Sequence, residues 1–322
     1  FPTNVSRGSD LSASTAETRT GHHIYTPLAP AQVDRGRWVF LSEWTDALAG
    51  AGFSSGAAEF EAMQLLRRPV ARATCAAVLG DLDPATRNQV ADQVLAWIDA
   101  LAPVISSPRA PGRWSRARRG ERRARLALDD TLTDVLAALG ITETPPIVAT
   151  MLAAGIQVPI AAGAWLLVFL ADHRDHDVDP DHAVWEALRL TPPTWVTARV
   201  TTAPVELAGQ HVPAGEVVLV SPLLLGRLAE LVPGDPADLG TFDPTRWHRD
   251  DVRAGAWLPF GAGAHACPGR TLGFGLLRDL AVWAGRHRLA LASSVTIDQS
   301  RGILPSPARI TVSPRMKSID DP

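Results

Sequence analysis

From Val33 to Leu101 apolar residues recur at helical spacing, broken by a turn signal at Gly80-Asp81-Leu82-Asp83-Pro84, which predicts helices on either side of that turn. Residues 1–20 are polar and rich in Ser and Thr, without such a period, and predict loop or disordered chain. Pro103 to Gly112 predicts a connection, and Leu126 to Gly140 a helix stopped by its glycine. Ile147 to Ala171 then runs for 25 residues without a charge, long enough to cross a membrane. Gln157 and Pro159 at its middle, after the small residues Ala153, Ala154 and Gly155, predict a buried core helix instead. Asp179 and Pro180 read as the N-cap and first position of another helix, which Pro192 and Pro193 end. Beyond Arg199 the pattern shortens to strands such as Val217 to Val220, then to loops, and Thr271 to Ala284 predicts a last helix. The expectation is a mainly α protein with small β-sheets, a single domain over residues 1–322 without repeats or a dividing linker.

Composition narrows the class. A net charge of -3 gives no global case for nucleic-acid binding. Lys317 is the sole lysine, so nearly all positive charge is arginine, and seven arginines fall between Arg113 and Arg125. Such a run could grip phosphates, but a solvated helix face is the simpler reading. Two cysteines leave no disulfide framework and suit a reducing, cytoplasmic setting. The start shows no secretory pattern, and a chain opening on Phe1 reads as a fragment or a trimmed sequence.

Several motifs fail on context. Gly52-Phe53-Ser54-Ser55-Gly56 fits a nucleophile elbow, but a helical pattern precedes it where a strand is needed. His173, Asp175, His176, Asp177, Asp179 and His182 cluster like metal ligands, yet Pro180 replaces the glycine a calcium loop requires. Asn4-Val5-Ser6 fits a glycosylation acceptor that a cytosolic chain does not use.

The strongest chemistry lies in Phe260-Gly261-Ala262-Gly263-Ala264-His265-Ala266-Cys267-Pro268-Gly269. A cysteine in a glycine-rich loop just before a helix gains from backbone N–H groups and the positive helix end, which favour the thiolate. Gly263 and Gly269 let the backbone turn tightly and pass close to a flat ligand. The competing readings are a small buried cysteine and a dinucleotide fingerprint through Gly261, Gly263 and Ala266. The fingerprint lacks a βαβ unit and a spaced acidic residue. Phe-x-x-Gly-x-x-x-Cys-x-Gly closely resembles the haem-ligand loop of the cytochrome P450 family, in which a cysteinate is the axial ligand of the iron.

The resemblance extends upstream. Glu186 and Arg189 are three apart on one helix face and can pair. They precede Leu190-Thr191-Pro192-Pro193, Arg199, Val212-Pro213-Ala214-Gly215 and Phe242-Asp243-Pro244-Thr245-Arg246-Trp247, an order similar to the family's K helix, small sheet and meander. It implies a structural charge triad of Glu186, Arg189 and Arg246 that locks the cysteine loop. It implies haem as cofactor with Cys267 as iron ligand, Phe260, Gly261, Gly263 and Gly269 shaping the loop, and Arg199 and His265 on the propionates. Leu28-Ala29-Pro30-Ala31 resembles the end of the C helix, which would put Gly21 and Tyr25, beside His22 and His23, at two further propionate positions. The chain before them is too short for the family's first helices and most of its main sheet, so the N-terminal part of the usual fold is expected to be missing.

Ala154-Gly155-Ile156-Gln157-Val158-Pro159 takes the place of the family's acid-and-alcohol motif on the distal helix. Ala154, Gly155, Gln157 and Val158 would line the oxygen and substrate side, with Gly155 permitting close approach to the haem. Gln157 cannot ionise and Val158 has no hydroxyl; Pro159 kinks the helix and frees a carbonyl. The resemblance implies a bacterial-type monooxygenase acting on a lipophilic small molecule in secondary metabolism. A ferredoxin-type protein would supply electrons, with neither nucleic acid nor a membrane span involved. The altered distal motif leaves two alternatives: a peroxide-driven or redox-neutral haem-thiolate enzyme, and a non-catalytic haem-binding accessory to another protein.

Overall fold

The computed structural model describes residues 26–53, 56–173, 178–232, 235–248, 257–263, 266–299 and 302–314; the loop expected over 1–20 lies outside them. Long helices follow one another: α1 (Pro30–Gly50), α2 (Ala62–Leu79), α3 (Pro84–Ile105), α4 (Arg116–Leu139) and α5 (Pro145–Asp172). Then come α6 (Pro180–Leu190), the single turn α7 (Pro222–Leu225) and α8 (Arg270–Gly285). The side chains of Asp83 and Asp179 each accept two backbone N–H groups at the heads of α3 and α6, with a proline next, which the sequence predicts for Asp179 and marks only as a turn at Asp83. Two boundaries differ from expectation. Ser115 caps a helix that already contains the arginine run, so α4 begins ten residues before Leu126. Pro103 sits inside α3, whose last turn reaches Ile105.

The uncharged α5 is the central helix, packed against α2, α3, α4, α6 and α8. Every residue from Ile160 to Val168 is buried, and Trp165 donates its indole N–H to the Ile303 carbonyl at 2.7 Å. By length and composition α5 could cross a membrane, but its most apolar window is 72% buried inside the protein. Its first half opens on one side. Ile147, Met151, Ala154 and Val158, spaced four, three and four, share a face and are only half-buried.

α1, α2 and α8 meet where side chains are smallest. A Cβ on Gly36 would lie 2.8 Å from Leu272 and 3.0 Å from Ala77, so this glycine allows the three backbones to approach. At the next residue, Arg37 of α1 grips Asp279 of α8 with two hydrogen bonds of 2.9 and 2.6 Å.

The small sheets are antiparallel. One three-stranded sheet runs β1 (Ala58–Glu61), β9 (Arg309–Pro314), β6 (His287–Leu291), with β9 in the middle. Ala58 and Phe60 face the core opposite Val312 and Ile310. The helical reading of Val33 to Leu101 missed β1: Ala-Glu-Phe-Glu alternates for only four residues between two helices. Two-stranded ladders join β2 (Thr197–Val200) with β5 (Val217–Val220), β3 (Val205–Leu207) with β4 (Gln210–Val212), and β7 (Ile297–Asp298) with β8 (Leu304–Pro305).

Replacing Gly36 by Ala is expected to destabilise the protein by about 1–3 kcal/mol through overpacking, read as a lowered urea midpoint with an unchanged m-value. An unchanged midpoint would show that the three-helix contact relaxes freely.

Candidate functional site

Cys267 stands in the loop that runs into α8. Its N–H donates to the Phe260 carbonyl at 2.8 Å, and Arg270 N–H returns to the Cys267 carbonyl at 3.3 Å. Gly261 and Gly263 adopt φ of 66° and 68°, the left-handed region that lets the loop turn back on itself. The ring of half-buried Phe260 lies over Gly273 of α8, where an added Cβ would be 3.6 Å away. The loop is also held from the far end of the chain, because Leu28 N–H donates to the Pro268 carbonyl at 3.2 Å.

The two cysteines differ in kind. Cys75 is buried in α2, and desolvation pushes its thiol up to about 12, which makes it an inert packing residue. Cys267 is exposed. Even so, enough protein surrounds its sulfur for desolvation to push the thiol up, against the Gly269 N–H and the Arg270 charge that pull it down. Burial of the sulfur thus works against the thiolate, while the loop N–H and Arg270 work for it; a bound metal would displace the proton. Among the described residues no group of three His, Cys, Asp or Glu side chains could hold a metal ion. Cys267 offers one sulfur, which is the single cysteinate ligand a haem-thiolate iron takes from the protein.

Behind the loop lies a buried charge network. Arg189 grips Glu186 with bonds of 2.8 and 2.7 Å and donates to the carbonyls of Gly226, Leu239 and Thr241. Arg246 reaches the same carboxylate at 3.3 Å. The structure thus brings together the three charges that sequence order singled out. It adds two donors that sequence reasoning missed, the Trp247 indole N–H at 2.9 Å and the Asp243 N–H at 3.1 Å. From there an aromatic chain leads to the cysteine loop. Trp247 meets Trp185 edge-on with centroids 5.7 Å apart, Trp257 donates to the Trp185 carbonyl at 3.1 Å, and Trp257 packs on Phe260 at 6.1 Å. Trp185 falls within a helix that the sequence predicts, yet nothing there marks the part its ring and carbonyl take in this chain; scattered tryptophans carry no spacing signal.

The remaining candidates are dispersed. Ala154 and Val158 lie on the half-buried face of α5, whereas Gln157 turns into the buried flank at 7% exposure. Gly155 sets its bare Cα against α2, where an added Cβ would be 2.9 Å from Thr74 Cγ2. Arg199 is exposed on β2, and its guanidinium rests on the Ala198 carbonyl at 2.9 Å. His265, Gly21, His22, His23 and Tyr25 lie outside the described residues, as do His176 and its neighbours in the His173–His182 cluster.

Removing the Glu186 charge takes from buried Arg189 its carboxylate partner and from Arg246 the nearer of two, Asp243 being 3.9 Å away. Glu186→Gln is expected to cost roughly 3–5 kcal/mol, measured by urea unfolding, and a loss below about 1 kcal/mol would mean that the network behaves like a surface pair.

The cytochrome P450 family profile matches residues 181–274, the stretch from α6 through the cysteine loop into α8. Cyclooctat-9-en-7-ol 5-monooxygenase of Streptomyces melanosporofaciens is 49% identical over 92 residues, 28% of this chain and 19% of that protein. Pentalenene oxygenase of Streptomyces avermitilis is 30% identical over 175 residues, 44% of this chain and 38% of that protein. The matches thus span about a fifth to two fifths of the length of these relatives. The fold is similar over a far longer stretch. A six-coordinated cytochrome P450 from Thermus thermophilus superposes with a TM-score of 0.67 at 22% identity, covering 94% of this chain and 81% of that one. A cyanobacterial structure with retinoic acid bound gives a TM-score of 0.72 at 18% identity, covering 89% and 76%. From α6 through the cysteine loop into α8 the sequence is similar to the cytochrome P450 family, and the helical core with its small antiparallel sheets is similar in fold to solved cytochrome P450 structures.

Proposed function

We propose that this chain carries the haem-binding part of a monooxygenase acting on a lipophilic small molecule in bacterial secondary metabolism, with Cys267 as the iron ligand. The observation that carries the reading is the placement of Cys267: an exposed sulfur at the head of α8, in a loop anchored to a fully buried carboxylate. Both relatives named above are oxygenases of Streptomyces, which supports the reaction class and the setting. Haem bound at this sulfur supplies oxygen activation for insertion into an unactivated C–H bond.

The residues of the chain then have distinct tasks. Cys267 holds the metal, the Gly269 N–H and the start of α8 stabilise negative charge on its sulfur, and Arg199 and His265 are the propionate partners. Glu186, Arg189 and Arg246 hold the loop through Trp247, Trp185, Trp257 and Phe260. Ala154 and Val158 give the open face of α5 an apolar surface that suits a lipophilic substrate and excludes water. Gln157 can orient a hydrogen bond but cannot deliver a proton. Electrons come from a ferredoxin-type protein. Val158, in the place of a hydroxyl, favours a second reading in which hydrogen peroxide replaces dioxygen and electron donor and no proton relay is required.

Cys267→Ala is expected to abolish the thiolate-type absorption of the reduced carbon-monoxide complex, and an unchanged spectrum would overturn the ligand assignment. Val158→Thr is expected to raise the fraction of reductant converted to product in a ferredoxin-driven assay. No change there, together with turnover on hydrogen peroxide, would shift the choice to the second reading.

A further inference from the structure

An α-helix returns the N–H of residue i to the carbonyl of residue i−4, and proline has no N–H to return. Pro159 lies inside α5, so the carbonyl it strands is that of Gly155. In this interior an unpaired backbone oxygen is costly, and some donor must meet it. The donor comes from another helix. Thr74 Oγ1 of α2 lies 3.1 Å from the Gly155 oxygen, and Thr74 is only 2% exposed.

Two further facts show that this is a fitted contact. A hydroxyl has a single proton to donate, and threonines in helices commonly give it to the carbonyl one turn back, as Thr45, Thr133 and Thr150 do. Thr74 gives it across the helix interface. The methyl of the same side chain lies 2.9 Å from where a Cβ on residue 155 would be, so any larger residue there would have to push Thr74 aside. Pro159 creates the acceptor, Gly155 admits the partner, and Thr74 supplies the proton.

We propose that Thr74 is the positioning residue of the proline turn in α5. Its hydroxyl draws the stranded carbonyl toward α2, away from the face formed by Met151, Ala154 and Val158, and so keeps that face apolar. The consequence for the distal side rests on the haem reading; the hydrogen bond itself does not.

The test is a thermal-unfolding cycle on the purified full chain, with a spectroscopic arm. Thr74→Val is expected to lower the unfolding midpoint by several degrees. In a Pro159→Ala background, where residue 159 regains an N–H for the Gly155 carbonyl, the same change is expected to shift it by about half as much or less. Thr74→Ser, which keeps the hydroxyl, restores most of the loss. If Thr74→Val is too unstable to purify, recovery of soluble protein on adding Pro159→Ala supports the proposal in the same way, and no recovery counts against it. Equal shifts in both backgrounds, or failure of serine to rescue, would overturn the proposal. In haem-loaded protein the C–O stretching band of the reduced carbon-monoxide complex responds to polar groups beside the gas. Thr74→Val should broaden or displace it; coupling in the cycle with an unmoved band would leave Thr74 a packing residue and overturn its positioning role. Absence of any carbon-monoxide complex would sink the haem reading and leave the thermal cycle to decide on Thr74.

Discussion

Glu186 is fully buried, and its carboxylate accepts from two arginines, one indole and one backbone amide. Carrying a carboxylate and two guanidinium groups out of water is expensive, so the arrangement is tolerable only because almost every polar atom is matched. Arg189 directs its remaining protons to the carbonyls of Gly226, Leu239 and Thr241, which lie in the turns that follow α7 and residues 236–238. The charged centre thereby ties those turns to α6. Its influence reaches the cysteine loop through three tryptophans, each joined to the next by an indole hydrogen bond or a ring contact.

The parts of the fold that could be read in advance were those with local causes. Asp179 and Pro180 announce a helix start because cap chemistry needs only adjacent residues, and the long uncharged run through Gln157 predicts a core helix by composition alone. The Glu186–Arg189 pairing follows from a spacing of three. What escaped was non-local. β1 is four residues long and exists because β9, some 250 residues later in the chain, pairs with it. The indole of Trp247 reaches Glu186 across 61 positions, and nothing in the spacing of tryptophans points to that. Gly155 illustrates a subtler case: the sequence reads it as room for the haem, whereas the close neighbour in the packing is Thr74 on α2.

The open face of α5 and the buried remainder of the same helix obey one rule. From Ile160 to Val168 all sides are covered by neighbouring elements, and a uniformly apolar composition is what such burial requires. Before it, Met151, Ala154 and Val158 stay apolar while only half-covered, which is unfavourable for a surface and natural for the wall of a ligand chamber. Met151, Ala154 and Val158 themselves carry neither an acid nor a hydroxyl, so under the proposed function protons would come from water or from the bound molecule.

The central position of β9 has a bearing on how the protein assembles during synthesis. β1 and β6 each pair with β9 and not with each other, so neither finds its ladder until residues 309–314 have left the ribosome. Helices α1 to α5 can collapse earlier around their own apolar faces, but Phe60 and its neighbours wait for a partner made some 250 residues later. Such late closure by a distant segment raises contact order and prolongs the life of an open-edged intermediate, the stage at which a chaperone would find this chain most in need of cover.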